Sequence, residues 1–92
     1  MYKYVWETPE EVIIVVAEHT KKLRKRLKIS RQKLSELSGV SYGSIKRFEE
    51  TGNISLLSLT KIAKALDVTE DIKNIFAEVP YNSIQEVINE QK

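Results

Sequence analysis

A three-residue turn, Gly-Val-Ser at residues 39–41, separates two short segments that each carry the signals of a helix. Ser30 is placed to cap the first segment, and Gly39 to end it, because glycine adopts the left-handed conformation after a helix most easily. Ser41 is placed to cap the second segment, which runs through Glu50 to a Thr-Gly-Asn stop at 51–53. Two helices joined by such a turn are expected to cross at a wide angle.

Similar signals predict further helices on both sides of this pair. Thr8, Pro9 and Glu11 form a capping box with proline at the first helical position, and we expect the apolar face of that helix to be Val12, Ile13, Val16, Thr20, Leu23 and Leu27. Ser55 opens a strongly periodic helix that carries Leu56, Leu59, Ile62, Ala63 and Leu66. A fifth helix begins at Thr69 and bears Ile72, Ile75 and Phe76, and a capping box at Ser83 to Glu86 precedes Val87 and Ile88. The sequence predicts an all-α fold.

The chain of 92 residues is expected to form one domain. We divide it into an N-terminal arm (1–7), a helical domain (8–77) that contains the closely joined pair, and a C-terminal extension (78–92) that is expected to be helical and is a candidate dimer contact. The absence of cysteine and the single histidine predict no metal, no cofactor and no enzymatic activity. The longest apolar run is Val12 to Ala17, so we expect a cytoplasmic protein.

The charge is divided unevenly along the chain. Residues 19–47 carry ten basic side chains and one acidic side chain, a net charge of +9, whereas the rest of the chain carries five basic and twelve acidic groups, a net charge of −7. A separated positive block attracts a polyanion, of which nucleic acid is the obvious example. A solvated helix face is the alternative interpretation of such a run.

The two helices joined at residues 39–41 have the spacing of the DNA-binding helix-turn-helix, whose second helix enters the major groove. An ordinary corner between two helices is the alternative. If Ile45 and Phe48 face inward with Leu34 and Val40, the residues expected to face the groove are Tyr42, Gly43, Lys46 and Arg47. Ser44 either joins them or bonds to the first turn of its own helix.

Two further groups of residues are expected to hold phosphates. Ser30 and Arg31 begin the first helix of the pair, where free amides and the positive end of the helix dipole attract an anion. Thr51, Gly52 and Asn53 end the recognition helix and offer backbone amides and an amide side chain. These contacts position the protein without reading the base sequence.

Residues 30–56, SRQKLSELSGVSYGSIKRFEETGNISL, resemble the Xre family of phage-repressor (Cro/CI-like) transcriptional regulators, and the likeness extends to about residue 76. The resemblance implies a lambda-repressor-like five-helix bundle in a bacterial or phage protein that binds operators as a homodimer. Similar proteins often accompany a HipA-type kinase toxin as its antitoxin. The resemblance also implies that Arg24 pairs with Glu49 and so joins the first and third helices.

The predicted function is therefore a sequence-specific regulator of transcription, a repressor that binds double-stranded DNA as a homodimer. A near-palindromic operator follows from the symmetry of such a dimer. The alternative is an antitoxin that binds a HipA-like toxin and regulates its own operon. The apolar residues between Ile72 and Ile88 either contact a second subunit or complete the core of the monomer.

Overall fold

A computed structural model of the chain describes residues 7–78, which fold into five α-helices. The helices are α1 (Pro9–Arg26), α2 (Arg31–Ser38), α3 (Tyr42–Thr51), α4 (Leu56–Ala65) and α5 (Thr69–Lys73). The predicted all-α fold is confirmed. Residues 1–6 of the predicted arm and the predicted helix after Ser83 lie outside the described residues.

The first four helices begin where the sequence predicts a cap. The Thr8 hydroxyl accepts a hydrogen bond from the Glu11 amide at 3.1 Å, and the Glu11 carboxylate accepts one from the Thr8 amide at 2.8 Å. Ser30, Ser41 and Ser55 cap α2, α3 and α4, and each accepts a bond from the amide three residues later. These bonds satisfy amides that have no partner inside the helix.

Left-handed residues follow all four of these helices. Gly39 and Gly52 have φ angles of 78° and 82°. Lys28 and Asp67 adopt the same conformation after α1 and α4, with φ of 60° and 62°. At the end of α1 the Ile29 amide donates back to the Arg24 carbonyl at 3.1 Å, so Lys28 takes the place that glycine commonly fills.

The core lies between α1, α2, α3 and α4. Helix α1 packs against α3, α2 packs against α3 and α4, and α5 packs against α4. The buried core residues are Ala17, Leu34, Val40, Ile45, Phe48, Ile62 and Leu66. Because Phe48 and Ile45 are fully buried, the orientation of α3 about its own axis is determined.

The predicted apolar face of α1 is partly wrong. Val12, Val16 and Leu27 are exposed, whereas Ala17 and Arg24 are buried. The run of β-branched residues from 12 to 16 encircles the helix and therefore did not identify one face. Contact with α3 turns α1 so that Arg24 points inward.

Helix α5 is shorter than predicted. It ends at Lys73, so Ile75 and Phe76 lie beyond it instead of on its face. Phe76 has a φ of 59° and is 94% exposed. The apolar residues after α5 are thus not covered by the five described helices.

Candidate nucleic-acid interface

Helix α3 presents a polar flank to solvent because its other side is held in the core. Ile45 and Phe48 are buried, and the helix advances about 100° per residue. The residues on the outward side are exposed: Tyr42, Gly43, Lys46 and Arg47. The structure thus brings the four predicted groove residues to one surface.

Gly43 lies on this surface with open space around it. A β-carbon placed on Gly43 would meet no other atom within 4 Å. Glycine is therefore not required here by the fold. Its small size leaves the α3 backbone accessible to a ligand.

Ser44 takes part in the cap of its own helix. The Ser41 hydroxyl donates to the Ser44 hydroxyl oxygen at 2.8 Å and accepts from the Ser44 amide at 3.1 Å. This is the local bond that the sequence analysis left open. Ser44 remains exposed beside Arg47.

Glu49 joins three helices at the back of α3. Its carboxylate accepts from Arg24 of α1 at 2.7 Å (Nε to Oε2) and 3.0 Å (Nη2 to Oε1), and from Arg31 of α2 at 2.8 Å (Nε to Oε1). Arg24 also donates to the Ile29 carbonyl at 2.8 Å. Only 1% of the Glu49 side chain is exposed. The two hydrogen bonds from the Arg24 guanidinium and the one from Arg31 hold α3 in position against α1 and α2.

Burial and pairing act on the charge of Glu49 in opposite directions. Burial alone raises the pKa of Glu49, because the ionised form loses its hydration. The hydrogen bonds from Arg24 and Arg31 outweigh that effect and leave the pKa of Glu49 below its usual value. The hydrogen bond to Glu49 also raises the pKa of Arg31, against the opposing effect of burial, and Tyr42 adds to that increase.

Arg31 therefore has a structural contact that the sequence analysis did not assign to it. Its Nε atom is bonded to Glu49, and 23% of its side chain remains exposed at the start of α2. Eighteen positions separate the two residues, so no short-range spacing in the sequence indicates the pair. Beside it, Ser30 caps α2 through the Lys33 amide at 3.0 Å and is exposed.

The turn after α3 uses most of its amides internally. The Gly52 amide donates to the Phe48 carbonyl at 2.7 Å, and Gly52 is buried against α1. The Thr51 hydroxyl donates to the Arg47 carbonyl at 2.7 Å and accepts from the Asn53 amide at 3.1 Å. The Asn53 side chain is the part of this turn that remains available to a ligand, since Asn53 is exposed.

A polar cleft lies between the end of α3 and the start of α4. It has a volume of about 390 Å³ and is lined by Ser44, Arg47, Asn53, Ile54, Ser55 and Ser58. The first amides of α4 have no carbonyl partner within the helix, and the helix dipole places partial positive charge there. Arg47, Asn53 and the start of α4 together make a surface that suits a phosphate.

Ser55 and Ser58 line this cleft but were not predicted as candidates for it. Ser55 was identified as a cap, and its hydroxyl accepts from the Ser58 amide at 3.0 Å. The same helix-start pattern made Ser30 a candidate, so the signal was present in the sequence. The sequence did not show that the start of α4 lies close to Arg47.

The described surface is divided by charge. Helix α1 carries Glu10 and Glu11 in its first turn, and the exposed Lys25 and Arg26 in its last turn.

No helix within residues 7–78 is long and apolar enough to cross a membrane. The same residues contain no group of three acidic or histidine side chains that could hold a metal.

Comparison with known protein families gives a match over more than half of the chain. The sequence model of a family described as helix-turn-helix matches residues 21–73, which cover the end of α1 and all of α2 to α5. No curated protein matches the chain at a significant level. No solved structure does so either.

Proposed function

Because the chain belongs to the Xre-like helix-turn-helix family of DNA-binding regulators, we propose that it represses transcription as a homodimer bound to one operator sequence in the bacterial cytoplasm. The observation that carries this proposal is the exposed cationic flank of α3. Lys46 and Arg47 lie there on a helix that the buried Ile45 and Phe48 hold in place. A rigid helix with outward donors is what reading of the major groove requires.

Bases are read by the first two turns of α3 in this proposal. Lys46 donates to the acceptors of a guanine, and Tyr42 donates through its hydroxyl or contacts a thymine methyl group with its ring. Gly43 allows the α3 backbone to approach the base edges. The bond between Ser41 and Ser44 holds this end of the helix in one conformation.

Phosphates are held on both sides of the groove. On one side, Arg47 and the Asn53 side chain converge with the first amides of α4. On the other side, Ser30 and Arg31 lie at the start of α2, where the helix dipole favours an anion. Because Glu49 holds the Arg31 Nε atom, the Arg31 guanidinium keeps a defined orientation.

A second copy of the chain completes the proposed operator complex. Val12, Ile14 and Val15 are exposed apolar residues of α1, and their exposure supports a protein contact. A two-fold dimer repeats its recognition helix about 34 Å away, one turn of DNA, so the two half-sites would form a near-palindrome.

Binding to DNA of known sequence tests the role of Lys46. Duplexes selected from a random library by the wild-type protein are titrated with Lys46→Ala and with Lys61→Ala, a control at an exposed lysine of α4. We expect Lys46→Ala to lose about 1–3 kcal/mol on the selected duplex and to tolerate more bases at one position. Equal losses on selected and random DNA, or equal losses in both variants, would remove Lys46 from base reading.

A variant at Gly43 separates binding from stability. Gly43→Ala introduces no contact and places a better helix former in α3, so the free energy of unfolding should increase by about 0.5–1 kcal/mol. Gly43→Leu keeps the helix but fills the space in front of its backbone. We expect this second variant to remain folded and to lose affinity for the selected duplex at least tenfold; unchanged affinity would contradict the proposed docking of α3.

An antitoxin is the second candidate, because the exposed apolar surface of α1 would suit a toxin partner as well as a second copy of the chain. In this role the chain binds a HipA-like kinase and uses its DNA contacts to regulate its own operon. Co-expression with the product of the neighbouring gene distinguishes the candidates. A stable complex that inhibits a kinase supports the antitoxin, whereas operator binding without such a complex supports the repressor alone.

A further inference from the structure

An apolar groove lies between α1, α4 and α5. It has a volume of about 360 Å³ and is lined mainly by Val16, Leu23, Leu59, Ile62, Ile72 and Ile75. None of its lining residues belongs to α2 or α3. The groove is therefore separate from the proposed DNA surface, and its occupation does not depend on DNA binding.

The described chain reaches the edge of this groove and leaves large apolar side chains uncovered there. Ile75 lines the groove, and Phe76 next to it is 94% exposed. Val16 on the opposite wall is 41% exposed. A small domain gains stability by burying such surface, so some further element should cover it.

The sequence of residues 79–92 predicts an amphipathic helix, whose apolar side requires an apolar surface to pack against. After a four-residue linker, Val-Pro-Tyr-Asn, the capping box from Ser83 to Glu86 predicts a helix. Ile84, Val87 and Ile88 have the spacing i, i+3, i+4 and so share one face, whereas polar residues occupy the rest of the predicted helix. The described helices leave the groove uncovered, and a segment with one apolar face begins only a few residues after Ile75 in the sequence.

We propose that the face formed by Ile84, Val87 and Ile88 binds in the groove of the same chain. The linker of residues 79–82 spans at most about 14 Å, and so short a tether keeps the segment at an effective concentration near millimolar. A helix of residues 83–92 is about 15 Å long, and the wall of α1 from Val16 to Leu23 is about 10 Å long.

Acidic side chains lie at the edge of this groove. Asp71 lines it, and Glu18 and Glu70 are exposed on the same two helices, α1 and α5, with the Lys73 ammonium 3.4 Å from the Glu70 carboxylate. In the predicted helix, Glu86 lies about 200° from Ile84 and therefore points away from the groove.

Disulfide trapping tests which chain fills the groove, because the natural sequence contains no cysteine. Val16→Cys is combined in turn with Ile84→Cys, Val87→Cys, Ile88→Cys and, as a control, Glu86→Cys. We expect a disulfide within one chain for at least one of the first three pairs, at every protein concentration, and none for the control. A bond that forms only between copies, or none in any pair, would overturn the proposal.

Thermal unfolding gives a second readout on the full chain. Ile84→Asp places a charge on the proposed contact face, and Gln85→Asp is the control on its polar side. We expect Ile84→Asp to lower the melting temperature by about 10 °C, by the same amount at every protein concentration, and Gln85→Asp to leave it within about 2 °C. Equal melting temperatures, or a decrease that depends on protein concentration, would refute docking within the chain.

Discussion

Gly39 and Gly52 end neighbouring helices in the same left-handed conformation but in different surroundings. A β-carbon on Gly39 would meet nothing within 4 Å, whereas one on Gly52 would lie 2.7 Å from Cγ1 and 2.8 Å from the carbonyl oxygen of Ile13. Gly52 thus allows the end of α3 to contact the backbone of α1. The sequence predicted both helix ends, but the close contact at Gly52 depends on a residue 39 positions earlier.

Alanine at these two positions should separate backbone strain from steric overlap. We expect Gly39→Ala to lower the free energy of unfolding by about 1 kcal/mol, the cost of a left-handed alanine. Gly52→Ala should lose about 2–4 kcal/mol, because overpacking against Ile13 is added. Urea denaturation of both variants measures the difference, and equal losses would show that the contact with Ile13 relaxes without cost.

Glu49 is the second residue whose role depends on its distant partners. Its two arginines lower its pKa in the folded protein, so its ionised form stabilises the fold. That contribution is complete above the usual pKa of about 4.3 and is lost as the pH falls through that value toward the lower pKa of the folded state.

The stability of Glu49→Gln as a function of pH tests this coupling. At pH 7 we expect a loss of about 3–5 kcal/mol, because Arg24 is left buried without a charged partner. Between pH 5 and pH 3 the variant should lose less stability than the wild-type protein. Glu36→Gln, at an exposed site, is the control and should keep the wild-type pH profile.

At the scale of the helices, the starts of α1 to α4 are set by local capping residues, whereas two of these four helices end without the glycine that commonly follows a helix. Four side-chain caps were visible in the sequence, since a cap and its amide are three residues apart. Lys28 is a different case. It is left-handed after α1 without being glycine, because the Ile29 amide is bonded to the Arg24 carbonyl and Arg24 is held by Glu49.

Glycine at position 28 should therefore stabilise the protein. We expect Lys28→Gly to increase the free energy of unfolding by about 0.5–1 kcal/mol, since it removes the strain of a left-handed lysine. Lys25→Gly is the matched control within the last turn of α1 and should lose about 1 kcal/mol. Denaturation curves of both variants give the sign, and a loss at position 28 would mean that the lysine conformation carries little strain.

At the scale of the whole molecule, charge and apolar surface are distributed separately. The exposed basic groups of α3 lie beside the polar cleft, whereas α1 begins with acidic residues and exposed apolar ones. A dimer formed away from α3 leaves both recognition helices free for DNA. The proposed two-fold complex therefore makes a geometric prediction about its operator.

Spacing between the half-sites should control affinity. Inserting about five base pairs at the operator centre rotates one half-site by half a turn, and inserting about ten restores its orientation. We expect the five-base-pair insertion to abolish cooperative binding of the two copies, and the ten-base-pair insertion to lower the affinity by a smaller factor. Gel-shift titration measures both, and equal affinity for all three duplexes would argue that each copy binds alone.

The amino-acid sequence alone determined the features that depend on neighbours within a few positions: the four capped helices, the turn at residues 39–41 and the outward position of Lys46. Caps, left-handed glycines and helical periodicity all act over one or two turns, so one sequence displays them completely. Only the tertiary structure decided which face of α1 is buried, that Arg31 bonds to Glu49, and that Arg47 shares a cleft with Ser55. Those contacts join residues that are far apart in the chain, and their formation depends on how the helices pack.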